Sequence, residues 1–454
     1  MVGRYQSYPE YVSSDVAHIK TIPVGWSVKR LKFVSRLNPS KSGLSEFPKE
    51  LEVSFVPMEA VGLGDVVDAS RTKKLGDVLS GYTYISENDV LIAKITPCFE
   101  NGKGGLAREL KNGIGFATTE VIPIRVTKSA LNADFLNYMV ACDPFRKLAE
   151  GSMYGAGGQK RVPDEFVANY KHALPPLEEQ KAIARFLDHE TAKIDELIAK
   201  QGRLIELLKE KRQAVISHAV TKGLNPDAPM KDSGVEWLGE VPEHWKVSRI
   251  KQVMTFLTSG PRGWSEHFSE ESGDYFLQSG DLTDEMTISF EDAQRCEPPV
   301  NAEGVRTMLN PLDVLVCITG AKTGRVAVAS ELPGRVYINQ HLALIRPVQS
   351  LIASKYLGYM LYSKIGREFF SVTQYGLKEG LSLSNVGEAP VCMPPLKEQI
   401  SITEYLDEQI SKYEVLSASS AKAVDLLKER RTALISAAVT GKIDVRNWKP
   451  DDSQ

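Results

Sequence analysis

The feature that most constrains the fold of this chain is a phrase that occurs twice. "LPPLEEQKAIARFLD" runs from Leu174 to Asp188, and "MPPLKEQISITEYLD" runs from Met393 to Asp407. A shift of 219 positions lays 174–224 over 393–443 without a gap, and about 22 of these 51 pairs are identical. Such internal similarity predicts a structure built from two copies of one unit.

The similarity extends to the segment that leads into each copy. The same shift places Trp26 on Trp245 and Pro23 on Pro242. A chain of 454 residues is also too long for one ordinary core, and two to four domains are expected. The predicted order is a lead-in, a globular block and a long segment, followed by the same three again.

Each long segment is typical of a helix in a coiled coil, because apolar residues recur every seven positions beside charged ones. In the first segment the main seam is Leu187, Ile194, Gln201, Leu208 and Val215, with a companion seam at Leu197, Leu204 and Lys211. In the second the main seam is Leu406, Tyr413, Ser420, Leu427 and Leu434, with a companion seam at Leu416, Ala423 and Arg430. About 40 helical residues at roughly 1.5 Å each would form a rod of about 60 Å.

The apolar stripe of each helix needs a partner, and the sister helix is the natural one. Antiparallel pairing would place the two blocks at opposite ends of the rod and give a pseudo-twofold molecule. Packing into an ordinary core or into an oligomer seam is the alternative. The proline pairs Pro175–Pro176 and Pro394–Pro395 would fix where each helix begins, because proline disfavours helix at the residue before it.

The two blocks have a mixed α/β pattern. Four β-branched runs are bounded by Gly, Pro or Asn and predict strands: "DVLIAKI" (89–95), "EVIPIRV" (120–126), "DVLVCIT" (313–319) and "HLALIRP" (341–347). Helical stretches follow at "DFLNYMVA" and "KYLGYMLYS". The shift between the blocks wanders from about 224 to 219, so one scaffold presents two different surfaces.

Several classes of function lack their sequence signals. "TGAKTGR" (319–325) and "NGKGG" (101–105) do not match the GxxxxGK[ST] phosphate loop, and no HExxH, G-x-S-x-G or [DN]PP[FY] motif occurs. The five cysteines form no CxxC pair, which favours a reduced compartment. No apolar run reaches the roughly 20 residues of a membrane span. The net charge of −3 neither supports nor excludes DNA binding.

Taken in order, these segments resemble the specificity subunit of type I restriction–modification enzymes. The resemblance is carried by "SGVEWLGEVPEHWKVSRIKQV" (233–253) and its weaker copy "VAHIKTIPVGWSVKRLKFV" (16–34), by both "PPLxEQ" phrases, and by "SGPRGW" (259–264), "TGAKTGRVAVA" and "NQHLALIRP". It covers essentially the whole chain. The first copy lacks the "SGVEWLGE" lead, which weakens the transfer of individual residues into the first block.

The resemblance implies an α/β (mixed α+β) fold with two globular target-recognition domains, a long antiparallel two-helix coiled coil and a pseudo-twofold tandem repeat. The predicted boundaries are an N-terminal lead-in at 1–26, target-recognition domain 1 at 27–173, a central spacer helix at 174–224, a linker with the second lead-in at 225–245, target-recognition domain 2 at 246–392, a C-terminal spacer helix at 393–443 and a tail at 444–454.

The resemblance also implies a non-catalytic, cytoplasmic chain that reads double-stranded DNA. Each domain would read one half of a bipartite site, and the paired helices would set the spacer and dock two methyltransferase subunits. The chain itself would hold no cofactor. S-adenosylmethionine would belong to the methyltransferase, which flips an adenine in each half-site, and ATP with Mg²⁺ to a motor/nuclease subunit.

Loop cations and a few polar groups are the expected DNA contacts, gripping phosphates or reading base edges. In the first block the candidates are Arg71, Lys73, Lys74, Lys94, Lys103, Gln159, Lys160 and Arg161. In the second they are Arg262, Trp264, Gln278, Ser279, Lys322, Thr323, Arg325 and Lys378. Each cation could equally be a solvated surface charge, and Trp264 could be a packing aromatic residue.

Two other classes of function remain open at this stage. One is a self-contained restriction–modification enzyme, against which the missing catalytic motifs argue. The other is a coiled-coil scaffold that binds only protein, which would leave the two divergent blocks on matched helices unexplained.

Overall fold

The computed structural model describes residues 5–62, 67–156, 158–269, 273–299, 302–374 and 380–450. The chain forms two compact units. Unit 1 comprises Met1–Gln201 and Lys422–Gln454, and unit 2 comprises Gly202–Ala421. Each unit thus contains one globular block, the N-terminal part of the long helix that follows it and the C-terminal part of the other long helix.

The elements of the first half alternate between short strands and helices. The strands are β1 (Tyr11–Val16), β2 (Ile19–Pro23), β3 (Ser27–Arg30), β4 (Ser35–Leu37), β5 (Glu52–Val56), β6 (Thr72–Lys74), β7 (Thr83–Ser86), β8 (Val90–Ala93), β9 (Gly104–Leu106), β10 (Ile114–Ala117), β11 (Val121–Val126) and β12 (Lys171–Leu174). The helices are α1 (Leu75–Val78), α2 (Ala133–Ala141), α3 (Asp143–Gly151), α4 (Asp164–Asn169) and the long α5 (Leu177–Lys222).

The second half repeats this plan. The strands are β13 (Met230–Asp232), β14 (Glu240–Pro242), β15 (Lys246–Arg249), β16 (Met254–Ser259), β17 (Phe268–Ser269), β18 (Asp274–Leu277), β19 (Gln294–Cys296), β20 (Val314–Cys317), β21 (Val326–Val328), β22 (Val336–Ile338), β23 (Leu342–Pro347) and β24 (Pro390–Met393). The helices are α6 (Ala302–Thr307), α7 (Ser354–Tyr362), α8 (Lys364–Thr373), α9 (Leu383–Glu388) and the long α10 (Leu396–Val439).

Each unit has a four-stranded sheet of the same topology, and these two sheets contain the four predicted strands. The order is β4-β11-β8-β9 in unit 1 and β16-β23-β20-β21 in unit 2, and all of the strand pairs are antiparallel. The two helices predicted after it are α2 and α7. The central strands β8 and β20 are buried along their whole length, as expected for continuous apolar runs covered on both faces.

A second sheet is where the units differ. Three strands are common, β6-β5-β10 in unit 1 and β19-β18-β22 in unit 2, with a parallel pair in each (β5 with β10, β18 with β22). The fourth strand is added on opposite sides. In unit 1 β7 pairs with β10, whereas in unit 2 β17 pairs with β19. The observed topology explains why the alignment of the two blocks wanders.

The two long helices begin at Leu177 and Leu396, directly after the proline pairs. Their main seams agree with the heptad pattern, since Leu187, Ile194, Leu406 and Leu434 are buried. Five of the six companion-seam positions were wrong, since Leu197, Leu204, Lys211, Leu416 and Arg430 are exposed and only Ala423 is half-buried. The half-buried positions lie one residue later, at Ile198, Ile205 and Arg212 in α5 and at Ser417, Val424 and Arg431 in α10. One residue of α-helix rotates a side chain by about 100°, which is enough to move it from the seam to solvent.

Matched ion pairs show that the helices run antiparallel in each unit. In unit 1 the Arg431 guanidinium lies 3.0 Å from Asp195. In unit 2 Arg212 lies 3.8 Å from Glu414. The shift of 219 positions relates the two pairs, so the N-terminal part of one helix packs on the C-terminal part of the other in both units, as predicted.

The repeated phrase "PPLxEQ" ties each block to its helix through its last two residues. Trp26 Nε1 donates to Glu179 Oε1 at 3.1 Å, and Trp245 Nε1 donates to Glu398 Oε1 at the same distance. The indole of Trp245 is fully buried, so this carboxylate satisfies a donor that water cannot reach.

The glutamine of the phrase is fully buried and bridges three backbone groups. Gln180 Nε2 donates to the carbonyls of Pro175 at 2.9 Å and Ala130 at 3.0 Å, and its Oε1 accepts from the Asn132 N–H at 2.8 Å. Gln399 repeats this pattern in unit 2. The phrase is therefore a junction that fixes the block on the first turn of its helix.

We expect Glu398→Ala to lower the free energy of unfolding of unit 2 by about 1–2 kcal/mol, because the buried indole N–H loses its acceptor. Chemical denaturation followed by tryptophan fluorescence measures the effect. Lys397→Ala is the matched control, since this neighbouring side chain is exposed. Equal stabilities of the two variants would show that the junction does not depend on the carboxylate.

No helix among the described residues is both long and apolar enough to cross a membrane.

Candidate nucleic-acid interface

Ten of the sixteen predicted DNA-contacting residues, five in each unit, lie on one set of loops in that unit. Loop cluster 1 comprises residues 57–62, 94–103 and 159–161 of unit 1, and loop cluster 2 comprises residues 278–284 and 319–325 of unit 2. In both units one segment follows the parallel strand β5 or β18, and another follows the buried strand β8 or β20. In each unit, loops at the strand ends of both sheets therefore form one cluster.

In each cluster, a lysine on the loop after β8 or β20 contacts the loop after β5 or β18. Lys103 Nζ donates to the carbonyl of Met58 at 2.9 Å in unit 1, and Lys322 Nζ donates to the carbonyl of Gly280 at 2.9 Å in unit 2. Both lysines are half-buried. The shared contact shows that the clusters are built alike although their sequences differ.

The third segment of loop cluster 1 is held by Thr96. The Thr96 N–H donates to the Lys160 carbonyl at 3.0 Å, and the Thr96 hydroxyl accepts from the Lys160 N–H at 3.0 Å. Gly155 allows the chain to close here, because a Cβ at this position would lie 2.4 Å from the Gln159 carbonyl oxygen. Gln159 and Lys160 are exposed, and just after them the Val162 N–H donates to the Lys94 carbonyl at 2.9 Å.

Two predicted cations of these clusters are neutralised by carboxylates. Arg161 donates to both oxygens of Glu120, at 2.9 and 3.0 Å, and these bonds lower the pKa of Glu120. Arg325 lies 2.7 Å from Asp284 and donates to the Leu282 carbonyl at 2.8 Å. Both guanidinium groups therefore hold the loops in shape, and their charge is balanced by the paired carboxylates.

The remaining candidates of loop cluster 2 are polar. Gln278 and Ser279 begin a short turn in which the Gln278 N–H donates to Asp281 Oδ2 at 2.7 Å. Burial raises the pKa of this aspartate. The Thr323 hydroxyl donates to the Gly320 carbonyl at 2.6 Å. The Gln278 side chain is exposed and caps the turn by accepting from its backbone.

The cluster "RTKK" lies on β6, the edge strand of the second sheet of unit 1. Arg71 pairs with Glu59 at 2.9 Å, with both side chains more than half exposed. The Lys73 ammonium sits 3.8 Å from the centre of the Phe55 ring and 5.2 Å from that of Tyr82. Lys74 is exposed. Of the three cations, Lys74 is the most open to a phosphate.

Trp264 lies inside unit 2, away from solvent. Its ring stacks on Phe276 with centroids 5.7 Å apart, it contacts Tyr337, and its Nε1 donates to Glu303 at 3.4 Å. The environment is that of a packing aromatic residue, the second reading that the sequence allowed. Arg262, two residues earlier, is exposed. Lys378 lies outside the described residues.

The sequence analysis missed a basic stretch at the start of target-recognition domain 1. Lys29, Arg30, Lys32 and Arg36 are exposed, and among the described residues no carboxylate lies within ion-pair distance of them. At the matching positions of unit 2, Arg249 and Lys251 both pair with Glu388, whose counterpart in unit 1 is Asn169. The run "VKRLKF" was visible in the sequence, but its lack of acidic partners was not.

Within the described parts of the chain, no group of three or more His, Cys, Asp or Glu side chains is arranged to hold a metal ion. Both clusters place polar and cationic side chains on loops at the ends of sheet strands.

Comparison with known proteins identifies the family. The family described as "Type I restriction modification DNA specificity domain" matches residues 23–207 and again 242–422. The EcoEI specificity subunit of Escherichia coli is 24% identical over 501 residues, covering 92% of this chain and 83% of that protein. The MjaVIII specificity subunit of Methanocaldococcus jannaschii is 22% identical over 443 residues, covering 95% and 96%.

A shorter match has a higher identity. The EcoAI specificity subunit of Escherichia coli is 40% identical over 163 residues, which cover 36% of this chain and 27% of that protein. Among solved structures, a chain from a study of assembly and conformational transition in the type I R-M system has a TM-score of 0.76 at 20% identity, covering 93% of this chain and 99% of that one.

The HsdS subunit from Thermoanaerobacter tengcongensis has a TM-score of 0.55 at 21% identity, covering 93% of this chain and 98% of that one. The structural matches support the fold, and the names of the curated relatives agree with the expectation of a non-catalytic subunit. The two matched segments fall one in each block with its adjoining helix, and this chain belongs to the family of type I restriction–modification specificity subunits, as a DNA sequence-recognition subunit with two tandem specificity domains.

Proposed function

We propose that loop clusters 1 and 2 each read one half of a bipartite, asymmetric DNA site. The observation that carries this proposal is the pair of matched lysine-to-carbonyl contacts, Lys103 to Met58 and Lys322 to Gly280, beneath loops of different sequence. Equivalent scaffolds with divergent polar surfaces suit two readers of different bases. The two long helices would connect the readers and set the number of unread bases between them.

Mapping of methylated adenines across the genome tests this proposal in cells that carry the chain and its methyltransferase partner. The expected product is one bipartite motif whose two halves change independently when one cluster is altered. A motif that is unaffected by replacing residues of either cluster would refute it.

Two lysines of β6, the exposed Lys74 and the half-buried Lys73, are expected to contact phosphates. Replacing Lys73 and Lys74 with Ala should weaken DNA binding and lower the slope of log affinity against log salt by up to about 2, since each phosphate contact contributes about 0.9. Lys74→Ala alone should give about half of this change. The measurement is a salt titration of the assembled complex on duplex DNA.

The control for charge is Lys128→Ala with Lys147→Ala, which removes two exposed lysines of unit 1 outside loop cluster 1. This variant should keep the original slope. If the Lys73/Lys74 variant also keeps it, the assignment of β6 to the interface is wrong.

Exposed apolar side chains on the helices are the proposed docking sites for two methyltransferase subunits. Unit 1 exposes Leu197 and Leu426, and unit 2 exposes the matching Leu416 and Leu207, each to between 46% and 56%. Exposed apolar patches mark protein interaction sites, and the recurrence of these leucines at matching positions of the two units supports the proposal. Two equal surfaces would recruit two copies of one partner.

Replacing Leu197 and Leu426 with Asp is expected to remove one methyltransferase copy from the complex, because charges would replace the apolar contact. Replacing Leu207 and Leu416 should remove the other. Native mass spectrometry of the purified complex counts the copies. Retention of both copies by the fourfold variant would rule out these positions as docking sites.

The proposed assembly assigns the chemistry to its partners. The methyltransferase would hold S-adenosylmethionine, and a motor/nuclease subunit would use ATP and Mg²⁺ for restriction, so that this chain contributes recognition alone. We place the complex in the cytoplasm, where chromosomal and incoming DNA meet. S-adenosylmethionine binding by the isolated chain would contradict this division of roles.

A further inference from the structure

One aromatic side chain beside loop cluster 1 is open to solvent. Tyr154 is 65% exposed, and among the described residues only one other Phe, Tyr or Trp side chain, that of Phe33, is more than half exposed. Tyr154 follows the end of α3 and precedes Gln159 and Lys160, both of which are exposed. Single exposed apolar residues are ordinary on protein surfaces. What sets Tyr154 apart is the way its backbone is held and its recurrence in the second half of the chain.

The backbone of Tyr154 is fixed on both sides although its ring is exposed. Its N–H donates to the Arg161 carbonyl at 3.2 Å, and its carbonyl accepts from the Arg161 N–H at 2.8 Å. Arg161 also pairs with Ile95 in the loop after β8, and its guanidinium is bonded to both oxygens of Glu120. The ring is thus presented from a fixed position at the strand end that forms loop cluster 1. A group that is already positioned loses less conformational freedom when it binds.

Unit 2 anchors the corresponding loop at the same strand end. In unit 1 the Val162 N–H donates to the Lys94 carbonyl at 2.9 Å, and in unit 2 the Leu381 N–H donates to the Ile318 carbonyl at 2.8 Å. Lys94 and Ile318 each come directly after the buried central strand, β8 or β20. The chain that leaves α3 or α8 therefore returns to the end of this strand in the same way in both units.

The tyrosine recurs in the sequence of this loop. The dipeptide Tyr–Gly occurs twice in the chain, at 154–155 and 375–376, and each tyrosine lies eleven residues after the first residue of the preceding helix, α3 or α8. The second dipeptide is outside the ranges that the structure describes. The residues that follow differ, with "AGGQKR" at 156–161 and "LKEG" at 377–380. Loops that read different bases are expected to diverge, so a residue kept in both suits a step that the two half-sites share.

In the proposed assembly the shared step is the flipping of one adenine in each half-site, which breaks the stacking on both faces of that base. An aromatic ring can replace lost stacking whatever the sequence, because every base has a π-face. We propose that the Tyr154 ring enters the duplex beside the target adenine and stacks on the bases that are uncovered when this adenine is flipped. The ring thereby favours the flipped state without reading sequence. This inference rests on the proposed DNA-reading role of loop cluster 1 and adds a stacking residue to it.

Two synthetic duplexes test the flip in each half-site separately, using the complex with the methyltransferase. Each duplex carries the mapped bipartite motif with 2-aminopurine in place of one target adenine, and the fluorescence of this base rises when it leaves the stack. Tyr154→Ala should reduce the rise in the half-site read by unit 1 and leave the other unchanged. Single-turnover methylation of the first half-site should slow about tenfold, as expected for the loss of one stacked base. Tyr154→Phe should match the wild type, because the ring stacks without its hydroxyl.

A duplex in which the target adenine faces an abasic position controls for a folding defect. This adenine is unpaired before the protein binds, so Tyr154→Ala should methylate it within about twofold of the wild-type rate. The inference is overturned if Tyr154→Ala changes neither fluorescence nor methylation, or if the abasic duplex does not restore the rate. Lys160→Ala separates the two proposals. If Tyr154→Ala has no effect, a lower salt slope of Lys160→Ala leaves only this inference refuted, whereas an unchanged slope counts against loop cluster 1 as a DNA interface.

Discussion

Asp313→Asn is expected to lower the free energy of unfolding of unit 2 by about 3 kcal/mol. The Asp313 side chain is 2% exposed and accepts from Arg346 Nε at 2.8 Å and Nη2 at 2.7 Å. These bonds raise the pKa of the arginine. Asparagine keeps the shape but not the charge, so a partly buried guanidinium loses its counter-ion. Removing one partner of a buried pair typically costs about 3–5 kcal/mol, and we take the lower end because Arg346 is about one-third exposed.

Asp284→Asn is the matched control in the same unit. Asp284 pairs with Arg325 at 2.7 Å, but its side chain is 72% exposed. Solvent-exposed pairs contribute about 0–1 kcal/mol, and the control should lose less than that. Hydrogen exchange of peptides that contain β20 and β23 would localise the loss. Equal destabilisation by the two substitutions would show that burial of the carboxylate is not what matters.

Unit 1 contains an equivalent buried arginine–aspartate pair. Asp89, with a side chain 1% exposed, accepts from Arg125 Nε at 2.8 Å and from Nη2 at 2.7 Å. Each aspartate precedes the buried central strand of its sheet, and each arginine lies on the neighbouring strand. The same ion pair thus links two neighbouring strands of the first sheet in each unit, whereas the second sheets differ in topology. The two units therefore keep the first sheet and its ion pair and vary in the second sheet.

These arginine–aspartate pairs were not predicted, although the strands that carry them were. "DVLIAKI" and "DVLVCIT" predict buried strands by their runs of β-branched residues. An aspartate at the edge of such a run is ordinarily a solvated turn residue. Its partner lies 36 positions away in unit 1 and 33 in unit 2, and only the tertiary pairing of the strands brings the two charges together.

The coiled-coil seam shows a second limit of sequence analysis. Leu197 and Ile198 are both apolar, as are Leu204 and Ile205, so a companion seam fits either register of the pattern. Packing between the helices selects Ile198 and Ile205 and leaves the leucines in solvent. The repeat predicted the helices and their antiparallel pairing, but not which of two adjacent apolar residues faces the partner.

The positions of the loop clusters could be predicted from the sequence, but not which of their cations are free of a carboxylate partner. The sequence indicated cations at strand ends, yet Arg161 and Arg325 are paired with Glu120 and Asp284, each 41 positions away. Which cations remain open to a phosphate is decided by such distant contacts. The burial of Trp264 has the same origin, since its neighbours Phe276 and Tyr337 come from separate strands.

Inserting one heptad into both long helices is expected to lengthen the unread part of the DNA site by about three base pairs. Seven residues add about 10 Å of helix, and the base-pair rise is about 3.4 Å. Insertion after Gln201 in α5 and after Ser420 in α10 uses matching positions next to the boundaries of the units. The pairs Arg431–Asp195 and Arg212–Glu414 then stay within their own units. Mapping methylated adenines in cells with the partner measures the spacer.

A one-residue insertion at the same two positions is the control for this experiment. It changes the length by only about 1.5 Å but turns every later side chain by about 100°, which takes Leu208 and Leu427 out of the seam. This variant should lose methylation of every site because the helices no longer pack. The heptad variant restores the seam, since seven residues return each side chain to within about 20° of its place. Both half-sites should therefore keep their bases while the gap between them grows, and an unchanged gap would mean that the helices do not set the spacing.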